Sequence, residues 1–456
     1  MLPLLLLFTS LAFAADWPRF RGPNGSGVGE ATGLPVEFGP SRNAAWKTSV
    51  PFGRSSPIVA GGRVFLTASE GGKLITLAYD VVTGREQWRR TVDAVHSHKI
   101  YKSNDAASPT PAADGNNVYA FFPDFGLVSY TFSGKERWRH KLGPFENFYG
   151  MSSSPVIDKG LLFLLCDQAQ GSYLLALDKD TGKQRWKTER KGMPVGWSVP
   201  IVHEDQILVF GSIRVESYFL ATGEQGWWIP VSSFGSMGSP VVHAGALIVT
   251  ASGSEQPWMP SFESTLAKSD QNKDGLLSSE ETKDLKEWFE HFGWVDANHD
   301  KQLNAAEWNT ARMFGVGDYG AVSIPLGGKG RLDSASIRWR FKRNLPYVPA
   351  PVLYDGVFYM VKDGGIVTSL DPATGTLLKQ GRSEKALGQY FASPVAADGK
   401  VFLLSEEGKL TVLKAAPQWE VISVNDLEEE CYATPAVTGG GIFVRTRGML
   451  YRFALR

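Results

Sequence analysis

The sequence contains few of the residues and segments that mark common membrane, nucleic-acid-binding or metal-binding proteins. Of its 456 residues only two are cysteine and seven are histidine. Basic and acidic residues balance at 47 each, so the net charge gives no reason to expect a nucleic-acid partner. Beyond the first residues no apolar run approaches the length that spans a bilayer. We therefore expect a mature chain with no transmembrane segment and no nucleic-acid partner.

Short catalytic motifs are also missing. The chain has no Gly-x-Ser-x-Gly, no His-Glu-x-x-His, no phosphate-binding glycine loop and no Cys ligand pair, and the dipeptide His203-Glu204 has no second histidine at ligand spacing. The two cysteines, Cys166 and Cys431, are far apart in the sequence. We interpret them as small buried apolar side chains, with a disulfide bridge as the alternative. No catalytic residue can be assigned from these patterns.

The sequence does contain one unit repeated eight times. A clear copy runs from Ser153 to Trp186 and has three short apolar runs, separated by Asp-Lys-Gly and Asp-Lys-Asp-Thr-Gly turns. Such runs predict an antiparallel meander. A small or branched residue followed by proline opens each copy, at Pro57, Pro111, Pro155, Pro200, Pro240, Pro351, Pro394 and Pro435. Because self-similarity at about forty residues is typical of radial arrays, we predict an all-β, eight-bladed β-propeller.

Several copies end with a glycine four residues before a tryptophan, as at Gly182 and Trp186. Together with Ala176-Leu177-Asp178, this ending resembles the pyrroloquinoline-quinone-type propeller repeat. The resemblance covers residues 43 to 456 apart from one insert. This family includes quinone-dependent dehydrogenases, the propeller lipoprotein of the outer-membrane assembly machine, and members of unknown role, so the resemblance implies a fold and leaves function open. Many quinone alcohol dehydrogenases of this fold carry an adjacent cysteine pair beside the cofactor, and this chain has none.

The N-terminal segments have distinct roles. Residues 1–14 are apolar and end in a small-x-small pair, Ala12 and Ala14, which predicts a signal peptide and an exported, periplasmic or extracellular protein. The alternative is a mis-assigned start or a buried strand, because this segment lacks Lys and Arg. Residues 15–42 are rich in Gly and Pro and predict an extended strap on the propeller wall. Trp46 follows with no strands before it, so residues 43–47 should complete the last copy and close the ring.

The fifth copy is about seventy residues too long. We divide the propeller into residues 43–258 and 318–456, with an insert at 259–317 that contains an EF-hand calcium loop. Its predicted ligands are oxygens of Asp270, Asn272, Asp274, Leu276 (carbonyl), Ser278 and Glu281. A second loop offers Asp296, Asn298, Asp300, Gln302, Asn304 and Glu307. Because Lys301 replaces the usual turn glycine, we expect the second loop to bind calcium more weakly.

The segment between the loops, Thr282 to Phe292, has apolar residues at helical spacing and predicts one shared amphipathic helix. The alternative to a calcium module is a solvated acidic stretch. The alternating direction of the strands predicts where the module lies. In a four-stranded meander, connections into the first strand and between the second and third strands emerge on the same face. The insert joins the second and third strands, so we expect it beside the mouth of the funnel.

Aromatic residues precede most of the opening prolines, where a propeller forms the inner rim of its funnel. They suggest a mouth for a flat cofactor or an extended peptide; the alternative is simple packing between blades. The loop after the first copy adds His96 and His98, which are either solvated, part of this ligand site, or a metal-binding His-x-His pair that lacks an obvious Cys or acidic partner. The candidate ligand-binding residues are His98, Tyr149, Trp197, Phe234, Tyr347, Tyr390 and Tyr432.

Two functions remain open after these observations. The favoured function is an exported, calcium-binding, non-catalytic scaffold or ligand-binding module, with a protein partner or small ligand at the mouth. The alternative is a pyrroloquinoline-quinone-dependent dehydrogenase, in which the cofactor would carry the redox chemistry.

Overall fold

The structure is a computed structural model that describes residues 16–97, 100–147, 149–235, 237–285, 292–296 and 300–455. The predicted signal peptide, His98 and Asn298 lie outside the described residues. Eight sheets make up the ring, each with four antiparallel strands and one of them with an added short fifth strand, which confirms the eight-bladed β-propeller. In the part of the chain that the structure describes, no helix is long and apolar enough to cross a membrane.

Each blade runs outward from a two- or three-residue inner strand. The strands of blades 1 to 4 are Ile58–Ala60, Arg63–Glu70, Lys73–Asp80, Glu86–Asp93; Ala112–Ala113, Asn117–Phe122, Gly126–Thr131, Glu136–Lys141; Val156–Asp158, Leu161–Cys166, Tyr173–Asp178, Gln184–Glu189; and Ile201–His203, Gln206–Phe210, Arg214–Phe219, Gln225–Pro230. Those of blades 5 to 8 are Val241–His243, Ala246–Ala251, Gly320–Pro325, Trp339–Phe341; Val352–Tyr354, Val357–Lys362, Ile366–Leu370, Leu377–Arg382; Val395–Ala397, Lys400–Leu404, Lys409–Lys414, Glu420–Asp426; and Ala436–Thr438, Gly441–Arg445, Met449–Phe453, Ala44–Ser49.

Burial explains the two kinds of sequence pattern in the strands. Middle strands such as Leu161–Cys166 are buried on both faces, because a neighbouring blade packs on each side, and they are apolar throughout. Outer strands alternate, as in Glu86–Asp93, where only Trp88 and Val92 are buried. The apolar clusters accordingly lie between adjacent blades, for example between blades 1 and 2.

The glycine and the tryptophan of the repeat form contacts between neighbouring blades. The Trp46 indole packs on Gly84 in the turn of the next blade and donates to the Val81 carbonyl at 3.0 Å. A Cβ on Gly84 would lie 2.6 Å from this ring, and φ there is +70°, so only glycine fits. Four further junctions repeat the arrangement, with Trp88 on Gly134, Trp138 on Gly182, Trp186 on Gly223 and Trp339 on Gly375.

Blade 8 combines both ends of the chain, as predicted. Its outer strand Ala44–Ser49 pairs antiparallel with Met449–Phe453, so that Thr48 lies opposite Leu450. Trp46 is buried and covers the seam between blades 8 and 1. This pairing supplies the fourth strand of blade 8 and covers the edge that Met449–Phe453 would otherwise expose.

The insert lies between the second and third strands of blade 5, as predicted. It contains helices Phe262–Ser269, Phe292–Val295 and Ala305–Arg312 and a two-stranded ladder, Leu277–Ser278 with Gln302–Leu303. It has a small apolar core of its own, centred on Trp308 and Phe262. The described part of the predicted shared helix begins with turns at Thr282–Asp284, and residues 286–291 lie outside the described residues.

Short elements complete the described chain. Two-residue strand Gly330–Arg331 pairs in parallel with Trp227 and Trp228 and adds a fifth strand to blade 4. The 3₁₀ helices are Pro23–Gly25 and Ser334–Ser336.

The prediction that the strap lies on the propeller wall is wrong for its first half. Trp17 exchanges backbone hydrogen bonds with Val59 in the inner strand of blade 1. Further bonds from the strap reach the inner strands of blades 2, 4 and 7, at Ala113, Val202 and Ala396. The strap therefore crosses the central channel. Its second half runs outward over blade 7, where the Phe38 N–H donates to the Asn425 side chain at 2.9 Å. Sequence period could not reveal this path, because the contacts join residues far apart in the chain.

Candidate functional site

The central funnel forms a cavity of about 390 Å³ at the end of the ring where the chain runs into the inner strands. Segments from all eight blades contribute to its wall, and Asp363 of the connection between the second and third strands of blade 6 lies on the same face. Connections between the second and third strands therefore emerge on the same face as the connections into the first strands, as we argued for the insert. At the opposite end the strap crosses the channel and places Phe20 in the cavity lining. The funnel is thus open at the mouth and crossed at its floor.

Five of the seven predicted mouth residues line this cavity: Tyr149, Trp197, Tyr347, Tyr390 and Tyr432. Phe391 joins them and packs against Tyr432 with ring centroids 5.1 Å apart. His98 lies outside the described residues. Phe234 is not among the residues that line the cavity; it packs on Gly315, at the base of the insert. The role of these aromatic residues in binding stays a prediction.

Aromatic residues form a connected group across the mouth. Tyr149 of blade 3 contacts Trp197 of blade 4 at 5.3 Å between centroids and Tyr101 at 4.9 Å. The hydroxyl groups of Tyr149 and of Tyr347 in blade 6 also interact, and burial raises the pKa of Tyr149. Since blades 3 and 6 lie three places apart in a ring of eight, these two lining tyrosines approach each other across the opening.

A ring of hydroxyl groups lies inside the mouth, contributed by the residues that precede the opening prolines. Each accepts a hydrogen bond from the backbone N–H at the same position of the neighbouring blade. The bonds run from Ala350 to Ser393, Ser393 to Thr434, Thr434 to Ser56, Ser56 to Thr110, and Thr110 to Ser154, at 2.9–3.0 Å. All five hydroxyls line the cavity. In the sequence this feature is a Ser or Thr directly before the opening proline. Its role in joining neighbouring blades is evident only from the structure.

Arg54 is a lining residue that the sequence pattern did not identify. Its guanidinium lies 3.7 Å above the centroid of the Tyr432 ring, a cation–π contact. Its Nε lies 3.9 Å from the Asp105 carboxylate, and burial raises the pKa of Asp105. The Tyr432 hydroxyl donates to the Glu406 carboxylate; burial first, and then this bond, raises the pKa of Tyr432 to about 12. Arg54 therefore places a guanidinium in the wall of the mouth, between the Tyr432 ring and the Asp105 carboxyl.

The floor of the funnel is built from Arg19, Phe20 and Arg21 of the strap. The Arg19 guanidinium donates to the Pro200 carbonyl at 2.6 Å, and the Arg21 guanidinium donates to the Pro351 carbonyl. Both side chains are buried. These carbonyls belong to residues at the start of the inner strands of blades 4 and 6. Of the three strap residues only Phe20 lines the cavity, and the two arginines anchor the strap to the inner strands on either side of it.

The first predicted calcium loop has the backbone that such a loop needs. Gly275, at the sixth position, takes φ of +79°. The Asp270 carboxylate accepts from the N–H groups of Lys273 and Gly275 at 2.7 and 3.1 Å, and the Glu281 carboxylate accepts from the Ser278 N–H at 2.9 Å. These hydrogen bonds hold the oxygen-bearing side chains on one loop. Across the described residues, no three His, Cys, Asp or Glu side chains converge closely enough to hold a metal.

The second loop pairs with the first through its eighth residue, since Leu277 lies opposite Leu303 in the two-residue ladder. Lys301 occupies the position where glycine is usual and adopts a φ of +67°, a backbone conformation that residues other than glycine adopt at a cost in free energy. The N–H of Lys301 donates to Asp296 at 2.9 Å. Glu307 completes a capping box with Asn304 at the start of helix Ala305–Arg312. Whether either loop binds calcium stays a prediction.

Neither cysteine lines the cavity. Cys166 and Cys431 are free and fully buried in separate blade cores, and burial raises the pKa of both thiols. The interpretation as buried apolar side chains is confirmed.

Comparison with known proteins identifies a family model that matches most of the chain. A family model described as outer membrane protein assembly factor BamB matches residues 40–170, 170–273 and 327–456. The chain belongs to this propeller family. The unmatched segment, 274–326, contains most of the insert. A search of curated proteins finds no match.

Solved structures similar to this family member show the same fold. BamB from Moraxella catarrhalis is 14% identical, with a TM-score of 0.54 over 90% of this chain and 98% of that one. A europium-containing methanol dehydrogenase is 10% identical, with a TM-score of 0.60 over 97% and 98%. A quinohemoprotein alcohol dehydrogenase, ADHIIG from Pseudomonas putida HK5, is 11% identical, with a TM-score of 0.57 over 97% and 80%. At these identities the likeness concerns the fold alone.

Proposed function

We propose that this protein is an exported, calcium-binding propeller that binds a ligand in its funnel and does not itself catalyse a reaction. The observation that carries this proposal is the cavity itself. Its volume and its lining of aromatic rings and hydroxyl groups are typical of ligand sites. The BamB description of the family is consistent with a binding role.

Exposed apolar side chains around the mouth support a surface for binding. Phe52, Tyr101, Tyr347, Leu387 and Met313 are all at least 40% exposed, and all lie on connections at this end of the ring or on the insert. Grouped exposed apolar residues mark interaction sites more often than scattered ones do. A protein partner at the rim, or a small ligand inside, would both use this face.

Calcium would stabilise the insert. The oxygen-bearing residues of loop 1 and the left-handed turn at Gly275 suit a hard cation that takes six to eight oxygens. The ladder between Leu277 and Leu303 couples the two loops, so occupancy of one would order the other.

The alternative function, a quinone-dependent dehydrogenase, has less support from the residues present. Neither thiol lines the cavity, whereas many quinone alcohol dehydrogenases of this fold hold a cysteine pair beside the cofactor. Asp363, an acid in the lining, accepts the Tyr390 N–H at 2.8 Å. The site thus does not fit a quinone held beside a cysteine pair.

An absorption scan separates the two functions. Purified protein is mixed with pyrroloquinoline quinone and calcium, freed of unbound cofactor, and scanned in the visible and near ultraviolet. The proposal expects no retained quinone. One quinone bound per chain would contradict it and favour the dehydrogenase.

Calcium titration of the full chain tests the metal. We expect Glu281→Gln to weaken calcium binding strongly, because the twelfth loop position supplies two of the oxygens. Glu307→Gln should matter less, because Lys301 makes the second loop the weaker one. Isothermal titration calorimetry of the two variants beside the unaltered protein measures this. Equal affinities at the two loops would contradict the weakening that we assign to Lys301.

A further inference from the structure

The charged residues of the funnel stand on opposite walls. Among the described residues that line the cavity, three carry a charge: Arg54, Lys102 and Asp363. Arg54 and Lys102 lie on the connections into blades 1 and 2, and Asp363 lies on a connection within blade 6. Blades 2 and 6 are diametrically opposite in a ring of eight. The cavity therefore has a positive wall and a negative wall.

Arg54 has an incomplete counter-charge. The Asp105 carboxylate lies 3.9 Å from its Nε, beyond hydrogen-bond distance, and the same carboxylate also interacts with the buried guanidinium of Arg445. One acid thus faces two guanidinium groups. The Arg54 side chain is 12% exposed, and within the described residues its Nε and Nη1 are enclosed and have no hydrogen-bond partner. Its Nη2 is therefore the nitrogen left to donate into the cavity.

The other two charges are also available to a ligand. Lys102 is exposed, and among the described residues its ammonium group has no hydrogen-bond or ion-pair partner. Asp363 is exposed as well, and its Oδ1 accepts the Tyr390 N–H at 2.8 Å. In the described part of the chain its Oδ2 accepts no hydrogen bond. A bound ammonium group can therefore donate to Oδ2 while the bond to Tyr390 stays intact.

The surface between the two charged walls offers aromatic rings and hydrogen-bond donors. Trp197 and Phe391 line it, and such rings pack well against an apolar side chain. The hydroxyl ring adds donors, because in the described hydrogen bonds these groups act only as acceptors and each keeps a hydrogen to donate. They are the hydroxyls of Ser56, Thr110, Ser154, Ser393 and Thr434.

We propose that the funnel binds a small zwitterion of the amino-acid or short-peptide class, with its carboxylate at Arg54 and Lys102 and its ammonium group at Asp363. This inference rests on the proposed function, because it names the ligand class of the same cavity. Hydrogen bonds between ionised partners are the strong ones, and a guanidinium matches a carboxylate in shape. The cavity volume of about 390 Å³ is at the small end of the range for small-molecule sites, roughly 300–1,000 Å³.

Retention of a mixed library is the first test. The full chain is mixed with an equimolar library of amino acids, dipeptides and tripeptides and freed of unbound compounds by ultrafiltration, and mass spectrometry identifies what stays bound. We expect zwitterionic members to be retained, and their length distinguishes an amino-acid ligand from a peptide ligand. The same library should be retained far less after N-acetylation or after C-amidation. Retention of no zwitterion would overturn the inference.

Calorimetry with the best-retained compound assigns each charge to a residue. Asp363→Asn keeps an acceptor for the Tyr390 N–H and should weaken binding about tenfold, because a charged hydrogen bond is lost. It should not change the affinity for the N-acetylated form, which has no ammonium group. Arg54→Gln should weaken binding of the free compound to a similar extent and leave the C-amidated form unaffected. A merely structural role of either residue would lower both affinities alike.

Two charged residues on the same face are matched controls. Arg447 and Glu407 lie between the second and third strands of blades 8 and 7, are exposed, and do not line the cavity. Arg447→Gln and Glu407→Gln should bind every form as the unaltered protein does. Arg54→Lys keeps the charge and should keep part of the affinity, and it replaces Arg54→Gln if that variant fails to fold.

Equal affinity of the unaltered protein for the free and the N-acetylated compound would overturn the inference, because Asp363 would then have no role in binding. Equal losses in the variants and in their controls would do the same. Failure here is separate from failure of the proposed function. If no peptide binds and the absorption scan finds no quinone, the funnel takes a ligand of another class, whereas a retained quinone contradicts the proposed function whatever the peptides do.

Discussion

At the scale of single residues, the position before each opening proline combines two roles. Its hydroxyl joins one blade to the next, and the same hydroxyl faces the funnel. Proline has no N–H and cannot donate a backbone hydrogen bond. The buried N–H of the residue before it still needs an acceptor, which a side-chain hydroxyl of the neighbouring blade can supply. Ser and Thr do so at five of the eight junctions. Val199 and Ala350 lack a hydroxyl, and in the described structure the buried Ser239 hydroxyl has no partner.

Thr434→Val tests this junction. The substitution keeps the shape but removes the acceptor for the Ser393 N–H, which stays buried. An unsatisfied buried donor costs about 1–3 kcal/mol, so the free energy of unfolding in urea should fall by that amount. Ser239→Ala is the matched control at the same ring position and should change stability by less than about 0.5 kcal/mol. Equal losses in both variants would contradict a role specific to the hydrogen-bonded ring.

At the scale of elements, the junctions between blades show why the Gly and Trp pattern is incomplete. Five junctions place a Trp on the turn glycine of the next blade. Blade 6 has no outer-strand Trp, and blade 8 has no turn between its last strands, because these come from opposite ends of the chain. Trp227 faces blade 5, whose third and fourth strands are joined by the longer segment that contains Gly330–Arg331. That segment pairs with blade 4 and spans the junction instead.

Trp46→Ala tests the seam between blades 8 and 1. The substitution removes a buried indole, its hydrogen bond to Val81 and its packing on Gly84. Loss of a buried Trp typically costs about 3–5 kcal/mol, and denaturant unfolding should show a loss of that size. Lys47→Ala, on the exposed side of the same strand, should stay close to the unaltered protein. A Tm within a degree of the unaltered protein would show that the indole does not stabilise the closed ring.

Much of this architecture is predictable from sequence because the repeat is a local pattern. Strands, turns and the split fifth blade follow from Pro240, the apolar runs and the length of the insert. The floor of the funnel is different. Arg19 and Arg21 bond to Pro200 and Pro351, 181 and 330 residues away, and an extended Gly- and Pro-rich segment has no period that could show where it goes. For the same reason Arg54 and Phe20 were not identified as lining residues.

At the scale of the whole molecule, the insert is attached where the ring has its least regular junction. Among the described residues, blades 4 and 5 share neither the hydroxyl bond nor the packing of a Trp on a turn glycine. The loop between them bonds to the segments that flank the insert on either side: the Phe234 N–H donates to the Ser252 carbonyl at 2.9 Å, and the Ser232 N–H to the Asp318 carbonyl at 3.0 Å. We therefore expect order in the insert to be transmitted to this junction and to the mouth.

Hydrogen exchange with and without calcium measures this transmission. We expect calcium to slow exchange in the insert and also in residues 231–235 and 237–239 between blades 4 and 5, because the shared hydrogen bonds open less often. Glu281→Gln should remove both effects. Protection confined to residues 259–317, with the mouth unchanged, would show that the insert is only a local attachment.

The shared blade also fixes the order in which the protein can be completed. Ser49 and Met449 stand 400 residues apart, yet they lie opposite each other in blade 8. The outer strand of that blade is synthesised first and has no partner until the last strands exist. Contacts of such separation form late, since the loop between them must close before they stabilise anything. Until then the chain has open strand edges that can pair with other molecules. Ring closure is thus the step at which a newly made chain stops being prone to aggregation.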